Sequence, residues 1–311
     1  MLFFLSKENI TLAKAELDAF LGEDTERIEN LCFAPSKRKN LDRLAMTRTA
    51  GKLLFTSPID KLKKNAENFS WKVTNFCVKT VRLDKTYIDK KIIAGIIHRR
   101  TGKPAQMKNP EALIEIFLHN NTAYVTKRVW ENTDNLEERK NHKRPAPHPT
   151  SLHPKLAKAL VNLTGIKRGR IIDPFCGGGG LLIEAGLMGL KCTGYDISQK
   201  MLEKCRKNLT YYNIKDFKLL QKDALQLEKS RYILTDLPYG KSSTANELNN
   251  LYGEFLEVLA NKLLKRAVVV FPSFYNYKSP IKKAGLKITK KFSWYIHKSM
   301  TRNIIVIETG Q

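Results

Sequence analysis

The sequence is poor in cysteine: five in 311 residues, Cys32, Cys77, Cys176, Cys192 and Cys205, an odd number with no CxxC pair. That excludes a disulfide framework and a zinc finger and predicts reduced thiols in a cytoplasmic protein. Histidine is scarce too. His142, His148 and His153 lie among prolines without helical or finger spacing, so no metal site is expected. Apolar runs are short, such as Leu2 to Leu5, Ala267 to Phe271 and Ile304 to Ile307, against the ~20 residues a spanning helix needs. The opening stretch stops at Ser6, before Lys7 and Glu8, with no basic leader, so neither a signal peptide nor a membrane span is expected. Acidic residues are outnumbered: 30 Asp and Glu face 55 Lys and Arg, leaving a net charge of +25 and a pI near 9.8. Such an excess points to a polyanionic partner, nucleic acid ahead of an anionic membrane surface, because neutralising phosphates releases counterions.

With 42% hydrophobic residues the chain has enough to bury, and its length suits about two domains. Leu2 to Leu5 reads as a strand. Ile10, Ala13, Leu17 and Phe20 follow at helical spacing, closed by Gly22. Between Thr56 and Trp130 the pattern predicts a strand at 76–81, a helix at 87–100, and strands at 112–118 and 122–129 around His119-Asn120-Asn121. Residues 131–150 are polar and proline-rich, which predicts a linker. Beyond it, strand patterns (170–173, 191–195, 217–221, 232–235, 266–271) alternate with helical stripes (155–163, 179–188, 199–212, 248–264). This alternation predicts an α/β fold with helices on both faces of a parallel sheet. Strands at 287–292 and 302–308, with no helix between them, predict an antiparallel hairpin at the sheet edge.

The most informative segment is Ile171-Ile172-Asp173-Pro174-Phe175-Cys176-Gly177-Gly178-Gly179-Gly180: a strand, a carboxylate, then four glycines opening a helix. Main chain without Cβ atoms lets a nucleotide-like ligand lie close at the strand's carboxyl end. The dinucleotide pattern GxGxxG is absent, since the third position falls on Leu182 or Ile183. A carboxylate at this point would repel a phosphate but suits an ammonium. The next strand ends Gly194-Tyr195-Asp196, where an acid would grip a ribose diol, and Asp223-Ala224 after the third would receive an adenine amino group. Three acids at successive strand ends thus outline an adenosine that carries a cation, S-adenosylmethionine. The fourth strand ends Asp236-Leu237-Pro238-Tyr239. Asp236 and the Pro238 carbonyl would accept the two N–H groups of an aromatic amine, and Tyr239 would stack on its ring.

These residues resemble the archaeal tRNA guanosine-10 N2-methyltransferases, which join a THUMP RNA-binding domain to a class I, Rossmann-like methyltransferase domain. The resemblance rests on Arg144-Pro145 leading to 149–163, on Asp173 to Gly180, on Asp236 to Ser243, and on Thr101-Gly102-Lys103 with 108–111. It implies an α+β ferredoxin-like region at 1–50, a THUMP domain at 51–130, a linker at 131–148 and the methyltransferase domain at 149–311. It implies a cofactor site of Thr150, Ser151, Asp173, Phe175, Cys176, Gly177, Gly178, Gly179, Asp196, Ile197, Asp223 and Ala224, with Asp236, Pro238 and Tyr239 catalytic. The implied partner is tRNA, the enzyme is expected to be monomeric, and a small activating methyltransferase subunit is an optional partner. The family's tetrapeptide is usually Asp-Pro-Pro-Tyr. Leu237 in place of the first proline should relax the main chain while keeping both acceptors.

The expected RNA contacts are Gly240, Lys241 and Ser242 beside the tetrapeptide, with Arg99, Arg100, Lys103, Lys108 and Arg144 from the basic clusters. Lys37-Arg38-Lys39 is a further basic cluster. An rRNA guanine-N2 methyltransferase, a DNA adenine-N6 methyltransferase and a catalytically inactive tRNA-binding protein are the alternatives.

Overall fold

The computed structural model describes residues 1–35, 40–149, 151–239, 245–297 and 300–309. Contacts divide the chain into two compact units. One comprises Met1–Ile10, Thr25–Leu41 and Thr47–Thr133; the other comprises Thr11–Asp24, Asp42–Met46 and Asp134–Gln311.

In sequence order the first 133 residues supply β1 (Leu2–Leu5), α1 (Ile10–Leu21), β2 (Glu26–Ile28), β3 (Leu31–Phe33), β4 (Thr47–Pro58) and α2 (Leu62–Asn68). They continue with β5 (Phe76–Arg82), α3 (Lys90–Thr101), β6 (Ala112–His119) and β7 (Thr122–Glu131). All seven strands form one sheet in the order β2-β3-β1-β4-β7-β6-β5. The β6–β7 turn falls at His119-Asn120-Asn121 as expected; both asparagines hold positive φ, 44° and 56°, which their short polar side chains tolerate. Helix α3 starts at the Asp89 cap and carries β5 over to its parallel partner β6. Ile93, Ile96 and Ile97 of that helix pack with Phe76, Ile114, Ile116 and Val125 in this unit's core. Strand β4 runs through residue 50, where a domain boundary was expected, so the first strands and the later ones share one sheet.

Helix α1, by contrast, belongs to the second unit. Glu16 on that helix is fully buried and accepts hydrogen bonds from Ala45 N (2.7 Å), Met46 N (2.8 Å) and Asn162 Nδ2 (2.8 Å). One carboxylate therefore ties two N-terminal segments to α4 (Pro154–Leu163). The expected linker is likewise built in from Asp134 onward. Arg139 pairs with Asp134 (2.7 Å) and Glu184 (2.9 Å), and Lys158 reaches the same Asp134. Polar composition misled here, because these charges satisfy one another instead of facing water.

The rest of this unit runs β8 (Arg170–Asp173), α5 (Gly180–Leu187), β9 (Lys191–Asp196), α6 (Gln199–Tyr211), β10 (Phe217–Gln221) and β11 (Ser230–Asp236). It ends with α7 (Ala245–Lys262), β12 (Leu263–Pro272), α8 (Lys278–Lys283), β13 (Leu286–His297) and β14 (Met300–Thr309). The sheet order β10-β9-β8-β11-β12-β14-β13 is parallel except for the final antiparallel hairpin. This is the expected α/β, Rossmann-like class. Strand order reverses between β8 and β11, so the carboxyl ends of those neighbouring strands open a crevice for ligands. Phe255, Leu256 and Leu259 of α7 pack with Val269, Phe271, Ile305 and Ile307 on one face. Among the described residues no helix is long and apolar enough to cross a membrane, and no group of three His, Cys, Asp or Glu could hold a metal ion.

Candidate active site

Four acids stand at the carboxyl ends of successive strands or just beyond, and their environments differ. Asp173, ending β8, is 2% exposed; its Oδ1 accepts from Thr235 Oγ1 (2.7 Å) and Phe175 N (3.1 Å). Burial pushes its pKa up to about 7 against those hydrogen bonds, with the charges of Asp236 and Asp196 adding to the rise. Asp196, ending β9, accepts from Gly177 N (3.1 Å) and Ser198 N (2.9 Å), and burial raises its pKa too. Asp223 caps the short turn after β10 through Leu225 N (2.9 Å), beside the buried Ala224.

The glycine loop is stitched across to β9: Cys176 N donates to Tyr195 O (2.9 Å), and Gly177 N holds Asp196. Gly177 has φ +49°, and a Cβ there would enter space whose nearest atom is Met201 Cε at 3.8 Å. Gly179 (φ +81°) serves packing, since its Cβ would collide with Cys205 Sγ at 2.6 Å. Ile197 is 72% exposed, an unusual position for a large apolar side chain at a strand end, while Phe175 lies edge-on to Phe255 (5.2 Å). Thr150, Gly240, Lys241 and Ser242 lie outside the described residues, as do Ser243 and Lys37-Arg38-Lys39.

Asp236 ends β11 with its side chain 15% exposed. Tyr239 Oη donates to Asp236 Oδ1 (2.6 Å), and Arg302 Nη2 stands 3.3 Å from Oδ2. Burial outweighs both and raises the Asp236 pKa to about 6. The Pro238 carbonyl already accepts the hydroxyl of Tyr252 from α7. Leu237 corrects one expectation. Its N–H donates to Val270 O (3.1 Å) and its side chain is fully buried, so the main chain is held more firmly than a proline, which has no N–H, could hold it.

Tyr252 and Arg302 had escaped the sequence reading. Tyr252 sits in the apolar stripe of α7 and reads as core. Arg302 does leave a signal, as a charge entering the apolar alternation of a strand that ends up 6% exposed.

Of the expected RNA contacts, Arg99, Arg100, Lys103 and Lys108 are exposed at the end of α3 and in the loop after it. Arg144 is only 3% exposed, which does not suit a surface phosphate contact. Its Nε donates to Arg139 O (2.9 Å), and both Nη groups lack an acceptor among the described residues. It lies beside the start of α5, with Nη1 3.2 Å from where a Gly180 Cβ would stand.

The glycine loop is therefore flanked by a buried acid whose pKa lies near neutrality and a buried, unsatisfied cation. That pair fits the ammonium and carboxylate of a methionine moiety, and exposed Ile197 beside Asp196 fits an adenosine.

A family model described as an RMKL-like methyltransferase domain matches residues 141–302, and a DNA methylase model matches residues 31–207. The chain is 36% identical to the tRNA (guanine(10)-N2)-dimethyltransferase of Methanothermobacter thermautotrophicus over 334 aligned positions, 99% of each chain. The protein of that name from Pyrococcus abyssi is 36% identical over 227 positions, 70% of this chain and 68% of its own. The crystal structure of TrmN from Thermus thermophilus shares the fold, with a TM-score of 0.53 over 99% of both chains at 20% identity.

Proposed function

Because the chain belongs to the tRNA (guanine(10)-N2)-dimethyltransferase family, we propose that it methylates the exocyclic N2 of G10 in tRNA, using S-adenosylmethionine, to N2-methyl- and N2,N2-dimethylguanosine. When bound, the cofactor supplies an electrophilic methyl group on a sulfonium. Asp173, Asp196 and Ile197 would hold its ammonium, ribose and adenine portions, the glycine loop would let it approach the main chain, and Ser151 and Arg144 would hold its carboxylate. Arg144 thus moves from the RNA surface to the cofactor.

Asp236 does the chemistry's remaining work. The amine lone pair is delocalised into the guanine ring, so hydrogen bonds to Asp236 and the Pro238 carbonyl orient the nitrogen for in-line attack. Such positioning is worth ~7–11 kcal/mol in favourable cases. A bound sulfonium would supply the methyl group to N2 and keep the electron pair of the bond that is broken. Asp236 then takes the N2 proton, and its pKa of about 6 suits a carboxylate ionised at neutral pH yet basic enough for this acidic nitrogen. The base must leave its stack to reach this rim, and the Tyr239 ring gives it a face. The exposed Arg99, Arg100, Lys103 and Lys108, in the segment read as a THUMP domain, track the acceptor end of the tRNA by its phosphates. The enzyme acts as a cytoplasmic monomer, with a small activating subunit as an optional partner.

The strand-end Asp236 beside the glycine loop carries this reading. Labelled cofactor offered with tRNA, rRNA and DNA substrates tests it: label in the tRNA transcript, at G10 by mass spectrometric mapping, is expected. Label in rRNA or DNA alone overturns it, and salt-sensitive tRNA binding without transfer identifies a binding protein instead.

A further inference from the structure

We propose that Arg302 is a positioning residue for the reaction, bridging Asp236 and the Tyr239 hydroxyl so that the carboxylate keeps its charge and its aim at the incoming amine. The inference rests on the reading of Asp236 as the amine's acceptor.

The fold explains how a residue at the far end of the chain arrives here. β12 lies between β11 and β14, with Asp236 opposite Val270, Val270 opposite Ile304, and Pro272 opposite Arg302. Arg302 therefore shares the sheet face of Asp236 and stands on β14 opposite the last residue of β12. Its Nε donates to Tyr239 Oη (2.9 Å), its Nη2 is 3.3 Å from Asp236 Oδ2, and its guanidinium carbon lies 5.2 Å from the centre of the Tyr239 ring. Tyr239 in turn donates to Asp236 Oδ1 (2.6 Å). The phenol accepts from the arginine and donates to the acid, so its proton has one direction to point. Each carboxylate oxygen keeps a lone pair for a substrate N–H. A planar fork can serve both partners at once, which a point charge on a lysine cannot.

The other groups facing Asp236 do not replace this cation. Tyr252 of α7 is neutral, with its pKa raised by burial and then by the Asp236 charge, and Asp173 on β8 repels. Burial alone drives Asp236 toward protonation; Arg302 and then Tyr239 oppose it. A protonated Asp236 offers an O–H where the amine needs an acceptor.

The test uses the full chain without cofactor or RNA, with aspartate carboxyls labelled with carbon-13 and the Asp236 signal assigned by its loss in Asp236→Asn. The wild-type midpoint is expected near 6. Arg302→Gln should raise it by about one unit or more, and Arg302→Lys should restore most of that shift. Tyr239→Phe, which leaves the arginine in place, should raise it less and keeps the test alive if Arg302→Gln fails to fold. In turnover, the acid limb of kcat should move up with the NMR midpoint while KM for the cofactor stays within about twofold. An unmoved midpoint in Arg302→Gln overturns the proposal, as does an unmoved midpoint in Tyr239→Phe where Arg302→Gln does not fold. Absence of methyl transfer by the wild type overturns the functional reading instead, because the titration needs no turnover.

Discussion

Two aspartates in the same unit, Asp134 and Asp236, titrate in opposite directions. Around Asp134, burial would raise the pKa, but hydrogen bonds and charge from Arg139 and Lys158 win and hold it down to about 2. Around Asp236, one arginine at 3.3 Å and one phenol are too little, and the pKa stays near 6. The first acid is saturated with donors and serves architecture. The second is left short of them, so a substrate has something to complete. A raised pKa beside a glycine loop, on a carboxylate with lone pairs left open, is what a working acid needs; burial alone also raises the structural Glu16 and Glu184, so the open lone pairs make the difference.

The comparison makes its largest prediction in turnover. Asp236→Ala should cut methyl transfer by ~10²–10⁴-fold with tRNA affinity nearly intact, read from single-turnover rates and filter binding. Wild-type rates in this variant would erase the distinction between the two aspartates. Next comes Asp134→Ala, which leaves Arg139 with Glu184 as its remaining carboxylate and takes the carboxylate from Lys158. It should destabilise the protein by ~2–3 kcal/mol in denaturant melts at pH 7. The loss should shrink as pH falls from about 4 toward 2, because the folded-state pKa lies below the unfolded one. Asp173→Asn should do the reverse. Its folded pKa of about 7 exceeds the usual carboxylate value, so the folded state holds the extra proton between pH 4 and 7 and stability falls as pH rises through that window. The asparagine should therefore stabilise the free protein by on the order of 2 kcal/mol at pH 8 and by little at pH 4. Smallest is Leu237→Pro, which removes the bond to Val270 and should cost about 1 kcal/mol by thermal melting.

Local pattern made most of the second sheet legible. Apolar runs bounded by turn residues fall on the strands of the parallel sheet, helical stripes fall on α4 to α7, and the terminal hairpin appears where no helix separates two runs. The glycine loop and strand-end acids were readable because few other arrangements need four glycines after an acid. What escaped depends on partners distant in sequence. Glu16 looks like a surface helix residue until Ala45, Met46 and Asn162 close around it. Residues 131–150 look like solvated chain because the charges that neutralise Arg139 include Glu184, in the middle of α5. Arg302 is 66 residues beyond Asp236, and only the β11-β12-β14 order brings them together. The same holds for Arg144, whose basic neighbours suggest a surface patch and whose burial denies it.

The account turns on an exocyclic amine held by an under-neutralised carboxylate. The most direct measurement is single-turnover methyl transfer to two tRNA transcripts that differ only at position 10, guanosine in one and inosine, which lacks the N2 amine, in the other. The account predicts incorporation into the first, up to two methyls on that nucleoside by mass spectrometry, and none into the second despite equal binding. Equal incorporation into both would contradict it.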